Sequence, residues 1–185
     1  MLFRARNTGN KSKPINSVAI AGGCLVLLGV IGVIQNFTAF EDAVHKTFIC
    51  QTNLKAMGRA LAEYTQDNNE TLPPANHWFT ASSVYIDGGV TNVKANDALK
   101  CPAAISPFGY AFNANLGSRA LKDIADLKTT VMLFEADAPK IDMFGGKESL
   151  VATPRHNGKQ NILFAYGFAR NRDQKQMSEL KWKFK

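Results

Sequence analysis

The stretch Cys50–Tyr64, CQTNLKAMGRALAEY, spaces its apolar side chains at alternating steps of four and three residues. These side chains are Cys50, Leu54, Met57, Leu61 and Tyr64. Positions spaced in this way share one face of an α-helix, so we predict an amphipathic helix that packs on a domain. No proline interrupts residues 15–72, and Asp67-Asn68-Asn69 before Leu72-Pro73-Pro74 is typical of a helix end. The sequence therefore predicts one long helix over roughly residues 17–67.

Upstream of this stretch, Val18–Ile34 reads VAIAGGCLVLLGVIGVI and contains no charged residue. Extended to Phe37 it has about 20 residues, the length that crosses a bilayer core. Basic residues precede this segment and acidic residues follow it: Arg4, Arg6, Lys11 and Lys13, then Glu41 and Asp42. The excess of positive charge on one side predicts a cytoplasmic N-terminus.

The resulting domain organisation is a basic cytoplasmic segment (1–17), a transmembrane helix (18–37) and an extracytoplasmic domain (38–185) that includes the outer half of the long helix. We expect a single-pass protein of the inner, cytoplasmic membrane whose domain is periplasmic. A cleaved signal peptide is an alternative, although Gln35-Asn36-Phe37-Thr38 is a poor cleavage site. A lipoprotein signal ending at Cys24 is a second alternative, but the apolar run continues well beyond that cysteine.

Small residues recur along one face of the membrane segment, at Ala19, Gly22, Val26 and Gly29. Such a face lets another transmembrane helix approach closely, so we predict partners among membrane-protein subunits as well as the lipid bilayer. The alternative is that glycine is simply frequent in membrane helices.

Downstream of the helix, short apolar runs alternate with turn residues. Strands are predicted at Thr129–Phe134, Asn161–Ala165, Phe168–Arg170 and Leu180–Phe184, and a short helix at Ala120–Leu127. Asn157-Gly158 suits a tight turn with positive φ. The predicted fold class is α+β, with one long helix packed on a small antiparallel sheet. Its expected core residues are Leu54, Met57, Leu61, Phe134 and Phe164.

Two of the three cysteines, Cys50 and Cys101, lie in the domain that we place outside the cytoplasm, where thiols can be oxidised. A disulfide between them would close a loop of about 50 residues and stabilise the fold by about 4 kcal/mol. Two buried free thiols are the alternative. No cysteine or histidine spacing indicates a metal site, and we expect no cofactor. We expect His156 to form a hydrogen bond in its loop, and His45 and His77 are isolated.

The formal net charge of the 185 residues is +7, and the excess lies at the two ends of the chain. The C-terminal group consists of Arg170, Arg172, Lys175, Lys181, Lys183 and Lys185. A solvated tail is the simplest interpretation, and contact with phosphate or anionic lipid is the alternative. No basic motif interleaved with aromatic residues is present, so no nucleic-acid partner is expected.

Several short motifs follow one another in a recognisable order. They are CQTNLKAMGRALAEYTQDNNETLPP (Cys50–Pro74), CPA (Cys101–Ala103), YAFNANL (Tyr110–Leu116), TTVMLFEAD (Thr129–Asp137) and RHNGKQNILFAYGFAR (Arg155–Arg170). Together they resemble bacterial prepilin-type proteins, which are related to type IV pilins and type II secretion pseudopilins and carry a His-x9-Asp-Gly segment near the C-terminus. The resemblance covers about residues 48–170 and implies a pilin-like fold.

The chain departs from that family at two points. Tyr166-Gly167 stands where the family has Asp-Gly. Prepilins also carry glycine, phenylalanine and then a glutamate ahead of the apolar run, whereas Gly9 here is followed by Asn10-Lys11-Ser12-Lys13. No glutamate precedes Glu41, so the residue that normally pairs subunits within a filament is missing.

These features favour a non-enzymatic, membrane-anchored structural subunit that serves as an accessory or scaffold in a larger membrane complex. The first alternative is a pseudopilin or minor pilin of a type II secretion or type IV pilus machine. A membrane-tethered enzyme is a weaker alternative, because no sequence signature supplies His156 with a nucleophile and an orienting acid.

Overall fold

The computed structural model describes residues 17–86 and 93–183, with side chains from residue 27 onward. The chain divides into two compact units, Met1–Glu41 and Asp42–Lys185, which we describe separately. Helix α1 is continuous over Ser17–Asp67, as the sequence predicts. It ends where Asn69 and Glu70 adopt positive φ angles and the Thr65 carbonyl accepts two backbone hydrogen bonds.

In the first unit, the described part of α1 exposes nearly all its large apolar side chains. Leu27, Leu28, Val30, Ile31, Val33, Ile34, Phe37 and Phe40 are each at least 44% exposed. The helix is long and apolar enough to cross a membrane, and no residue of its apolar window is buried. A core helix of a soluble domain would instead have most of this surface covered.

The second unit is an α+β domain built on a five-stranded sheet of order β3-β1-β2-β4-β5. The strands are β1 (Phe108–Asn113), β2 (Val131–Ala138), β3 (Phe144–Gly145), β4 (Gln160–Phe164) and β5 (Ala169–Arg172). Three short helices accompany them, α2 (Trp78–Ser82), α3 (Ala95–Ala98) and α4 (Gln174–Ser178). Single 3-10 turns lie at Ala75–His77, Ser83–Tyr85, Ala114–Leu116, Leu121–Asp123 and Lys147–Ser149.

The sheet is mixed rather than purely antiparallel. Strands β1, β2, β4 and β5 pair antiparallel with their neighbours, but the two-residue strand β3 pairs parallel with β1. The chain reverses direction after β2 and returns beside β1 instead of beside β2. Because β1 is itself antiparallel to β2, this returning strand is parallel to β1.

Each face of the sheet has its own apolar layer. On one face, Leu54, Met57 and Leu61 of α1 pack with Tyr110, Phe112, Leu133 and Leu163. On the other, Phe134, Ile162 and Phe164 pack with Met177 and Trp182. All five expected core residues are therefore buried, but Phe134 and Phe164 face away from the layer that contains α1.

Several local predictions need correction. Strand β1, which lies between β3 and β2, was not predicted as a strand, and the helix expected at Ala120–Leu127 is only a 3-10 turn at Leu121–Asp123. Within the strand expected at Leu180–Phe184, the described residues 180–183 form one bridge, between Lys181 and Thr130, and Phe184 lies outside the described residues. The apolar strand positions alone did not show that the sheet has two buried faces.

The C-terminal segment packs on the sheet through Met177 and Trp182, whereas its basic side chains Arg170, Lys175, Lys181 and Lys183 are exposed. The ring of Trp182 meets that of Phe134 edge-on at 5.0 Å, and Trp182 is only 8% exposed. Lys181 donates to Asp126 at 3.0 Å. The second face of this sheet carries the apolar side chains of Phe134, Ile162 and Phe164, and α4 with the following residues covers them.

Candidate functional site

Four side chains of metal-binding or nucleophilic type meet on the α1 side of the sheet. They are Cys50 on α1, Cys101 in the segment between α3 and β1, Glu135 on β2, and His156 just before β4. One potential ligand atom from each residue lies within 4.8 Å of all the others. None of the four residues is more than 5% exposed. We call these four residues the buried cluster.

Local contacts bring Cys101 against the helix. The side-chain amide of Asn53 donates to the Lys100 carbonyl at 2.8 Å, which fixes this segment on α1. On the other side, a Cβ atom at Gly109 would lie 2.4 Å from the Cys101 Cβ. Glycine is therefore required there, and the β1–β2 register shifts between Phe108 and Tyr110. A bulge of this kind accommodates a close backbone approach.

His156 is held by the turn that the sequence predicts. Asn157 and Gly158 have φ angles of 53° and 76°, and His156 and Lys159 exchange two backbone hydrogen bonds of 3.1 Å. The preceding Arg155 donates to the carbonyls of Gly109 and Ala136 at 3.2 and 3.0 Å and pairs with Asp137. These contacts attach the turn to β1 and β2.

The imidazole of His156 forms contacts through both nitrogens. Its Nε2 lies 2.7 Å from Glu135 Oε1 and 3.8 Å from Cys101 Sγ. Its Nδ1 lies 3.1 Å from Thr47 Oγ1 on α1. His156 therefore bonds within its own turn through its backbone, as expected, while its side chain contacts Thr47 on α1 and Glu135 on β2.

A network of amides orients Glu135. Asn161 Nδ2 donates to Glu135 Oε1 at 2.9 Å, while Asn161 Oδ1 accepts from Gln51 at 3.1 Å and from Asn171 at 3.0 Å. The second carboxylate oxygen, Oε2, has no hydrogen-bond partner within the part of the chain that the structure describes. A buried carboxylate that is only half satisfied is energetically costly.

The two thiols interact unequally with their surroundings. The hydrogen bond from Cys50 lowers the pKa of Cys101 to about 4, against the opposing effect of burial and with help from His156. The same bond, together with burial, raises the pKa of Cys50. Burial alone lowers the pKa of His156, but Cys101 and Glu135 outweigh it and raise the value to about 9. Burial also raises the pKa of Tyr110, whose hydroxyl donates to the Cys50 carbonyl.

The arrangement differs from a nucleophile–base–acid triad. In a triad, the acid contacts one imidazole nitrogen and the nucleophile contacts the other. Here Cys101 and Glu135 both face Nε2, while Nδ1 meets a threonine hydroxyl. Residues of these types can serve as the donor set of a metal site or as a redox-active thiol pair.

The two cysteines expected to form a disulfide are adjacent but free. Their covalent pairing stays a prediction. On the predicted packing face, Ala19, Gly22 and Val26 precede the residues whose side chains the structure describes, as does Cys24. Gly29 is described, and apart from its own helical turn a Cβ there would meet no atom of the described residues within 4 Å. His45 and His77 are exposed and lie outside the cluster.

Glu135 and its contact with His156 were missed by sequence reasoning. The only sequence signal was a glutamate within an otherwise apolar strand, TTVMLFEAD, which indicates a buried charge that needs a partner. Comparison with protein-family models, characterised proteins and solved structures finds no match. The resemblance to prepilin-type proteins therefore rests on the sequence motifs alone.

Proposed function

We propose that the chain is a non-enzymatic, membrane-anchored structural subunit with a pilin-like architecture, and that it acts as an accessory or scaffold subunit of a larger membrane complex. Helix α1 carries this proposal. One uninterrupted helix contains an exposed apolar stretch and a stretch whose face is fully buried in the domain core. Membrane attachment and domain folding then depend on the same element.

The exposed stretch supports membrane insertion. Burying one large aliphatic side chain is worth about 1.5–3 kcal/mol, so a continuous surface of such residues favours an apolar environment strongly. The basic residues before Val18 favour a cytoplasmic N-terminus and an extracytoplasmic domain. We therefore propose an inner-membrane location with a single span.

The burial of the cluster supports a structural rather than an enzymatic role. Cys50 and Glu135 have no exposed surface, and His156 is 2% exposed. A groove of about 350 Å³ lies beside His156, lined in part by Thr47, Gln51 and Asn171. A substrate in this groove would still have to displace packed side chains to reach either sulfur atom.

The small residues of the membrane segment provide the proposed docking face for a partner helix. Close approach of two helix backbones leaves no room for a bulky side chain at Gly22 or Gly29. Two substitutions at the same position separate these effects: Gly29→Ala keeps the residue small, whereas Gly29→Leu introduces a bulky side chain. Leu27→Ala changes another face of the same helix.

The native protein, extracted in mild detergent, should migrate well above the size of the 20.2-kDa chain on native gels. Gly29→Leu should shift it to the free subunit, whereas Gly29→Ala and Leu27→Ala should leave it in the complex. A wild-type protein that already migrates as a free subunit would refute the scaffold role. A Gly29→Leu variant that stays in the complex would show that this face is not the contact.

Orientation has its own test. Protease added to intact spheroplasts should digest the domain after about residue 40 and spare an N-terminal fragment. Protection of the entire chain would reverse the proposed topology without bearing on complex formation.

The second candidate is a pseudopilin or minor pilin, favoured by the ordered motifs between Cys50 and Arg170. It requires a processed N-terminus beginning with N-methylphenylalanine and assembly into filaments. Mass spectrometry of the mature N-terminus separates the two proposals. An uncut N-terminus supports the accessory subunit, and a cut, methylated one supports the pilin.

A further inference from the structure

We propose that the α+β domain holds a closed, structural zinc site whose four ligands are Cys50, Cys101, Glu135 and His156. The sequence alone gave no indication of a metal, since the ligands come from four separate segments. The proposal stands on the geometry of the buried cluster and on two hydrogen-bonding observations.

The first observation concerns the tautomer of His156. The hydroxyl of Thr47 has a single hydrogen, which it donates to the Ala43 carbonyl at 2.8 Å. Thr47 Oγ1 must therefore accept from His156 Nδ1–H. A histidine that ligates a metal typically donates its other ring N–H to such an outer partner. Nε2 is left facing the cluster.

Nε2 then faces Glu135 Oε1 at only 2.7 Å. A neutral ring with its proton on Nδ1 would set a lone pair against a carboxylate oxygen, which is repulsive. A proton on Nε2 or a cation among the four residues removes this repulsion. Zinc would displace the proton from Nε2 and from each protonated thiol that it binds.

The second observation is the unpaired Oε2 of Glu135, a residue with no exposed surface. Asn161 already satisfies Oε1 and is itself held by Gln51 and Asn171. The carboxylate is therefore oriented by an outer layer of amides and yet retains an unused oxygen. A metal ligand has this arrangement, with supporting hydrogen bonds on one side and a free donor atom on the other.

The dimensions approach those of a zinc site, since one potential ligand atom from each residue lies within 4.8 Å of all the others. Bond lengths of about 2.3 Å to sulfur and 2.0–2.1 Å to nitrogen and oxygen place tetrahedral ligands about 3.3–3.8 Å apart. The Cys101 Sγ–His156 Nε2 distance of 3.8 Å is already close to this range. The 2.7 Å separation of Nε2 and Oε1 would have to open by about half an ångström, unless Oε2 is the ligand.

The donor types select among metals. Two thiolates exclude magnesium and calcium, which require oxygen ligands, and a tetrahedral set of sulfur, nitrogen and oxygen is typical of zinc. Four protein ligands leave no position for water, so the site would be structural rather than catalytic. Zinc would join α1 to the sheet, because its ligands belong to both.

The first experiment measures metal in the full-length protein purified in detergent. We expect one zinc ion per chain in the wild type and in Cys24→Ser, which removes the cysteine outside the cluster. Cys101→Ser and Glu135→Gln should lower the zinc content at least tenfold after challenge with a chelator. Loss of zinc in Cys24→Ser would show that the ligands are wrongly assigned.

The second experiment does not depend on whether a variant folds. Metal-free, reduced wild-type protein is titrated with Co²⁺ and then with Zn²⁺. We expect saturation at one equivalent, intense visible bands typical of tetrahedral cobalt and a near-ultraviolet sulfur-to-cobalt charge-transfer band. Zn²⁺ should abolish all of them. Absence of stoichiometric binding, or a spectrum without the sulfur band, would overturn the proposal.

The third experiment traps thiols by alkylation during extraction and maps the peptides by mass spectrometry. Zinc binding and a Cys50–Cys101 disulfide exclude each other. Zinc needs both sulfur atoms as thiolates, whereas oxidation removes one proton and one electron from each thiol and joins the two sulfur atoms. Unlinked peptides are expected. Linked Cys50 and Cys101 peptides in the trapped sample would overturn the zinc site and confirm the disulfide predicted from the sequence.

Discussion

Replacing Gly58 by alanine tests how helix α1 is held against the sheet. A Cβ atom at this position would lie 2.6 Å from Leu163 Cδ2 on β4, and Leu163 is fully buried. The side chain of Leu163 packs directly against the helix backbone here. The contact depends on glycine even though glycine is a poor helix former.

Two opposing free-energy terms decide the outcome. Alanine is favoured over glycine in a helix interior by about 1 kcal/mol. Overpacking a filled core costs about 1–3 kcal/mol, because Leu163 would have to leave its rotamer. The net expectation is a free energy of unfolding lowered by up to about 2 kcal/mol, out of about 5–15 kcal/mol for a typical domain.

Urea unfolding followed by tryptophan fluorescence measures this change. Both tryptophans, Trp78 and Trp182, are buried in the domain, so the signal reports the domain alone. Ala62→Gly, at an exposed position of α1, is the matched control and should cost about 1 kcal/mol through helix propensity.

A double-mutant cycle isolates the contact. Leu163→Ala alone should cost about 2–5 kcal/mol because it leaves a cavity. In that background the added methyl group at Gly58 has room, so Gly58→Ala should stabilise by about 1 kcal/mol. If Gly58→Ala already stabilises the wild-type domain by the amount that Ala62→Gly loses, the helix does not depend on close approach and the reasoning fails.

Three further changes should lower the free energy of unfolding in the same assay. Trp182→Ala should lower the free energy of unfolding by about 3–5 kcal/mol, because it uncovers Phe134 on the second face of the sheet. A change under 1 kcal/mol would mean that the C-terminal segment is not part of the fold. Gly158→Ala should lower the free energy of unfolding by about 1–2 kcal/mol, because an alanine at this positive φ is strained. Asn157→Gly should change it little, and equal effects of the two substitutions would contradict the turn geometry. Arg155→Ala should lower the free energy of unfolding by about 1–3 kcal/mol, because the carbonyls of Gly109 and Ala136 lose their donor. Arg155→Lys should restore only part of this loss, and full restoration by lysine would show that the planar guanidinium is not needed.

The elements with a single strong pattern could be predicted from the sequence. The helix stripe from Cys50 to Tyr64 and the apolar runs of β2 and β4 have clear periods or compact apolar character. The Asn157-Gly158 turn has specific chemistry, and its positive φ angles follow.

Strand β1 could not be found in this way, for a physical reason. Its sequence FGYAFN is buried on both faces, so it does not alternate between apolar and polar residues. Its glycine, a residue depleted from strands, is required by the bulge opposite Cys101. The role of the C-terminal residues could not be predicted either, because in sequence they resemble a charged tail and nothing indicated a second buried face of the sheet.

The buried cluster was missed because its chemistry is entirely tertiary. Cys50 and Cys101 were recognised as a possible pair, but Glu135 and His156 lie on other segments at no motif spacing. Only the β1–β2 pairing of Tyr110 with Glu135 and the turn before β4 bring them to the helix. A glutamate inside an apolar strand indicates that a partner exists but does not identify it.

The cluster and the Gly58 contact attach the same helix to the sheet at two points. Cys50 and Gly58 are two turns apart, roughly 12 Å along the helix axis. Cys50 meets the segment before β1 and strand β2, whereas Gly58 meets β4. Since the two points are roughly 12 Å apart along the helix, their contributions to stability should be largely separable. A helix fixed at one point could still pivot on the sheet, whereas two separate points of contact restrain pivoting.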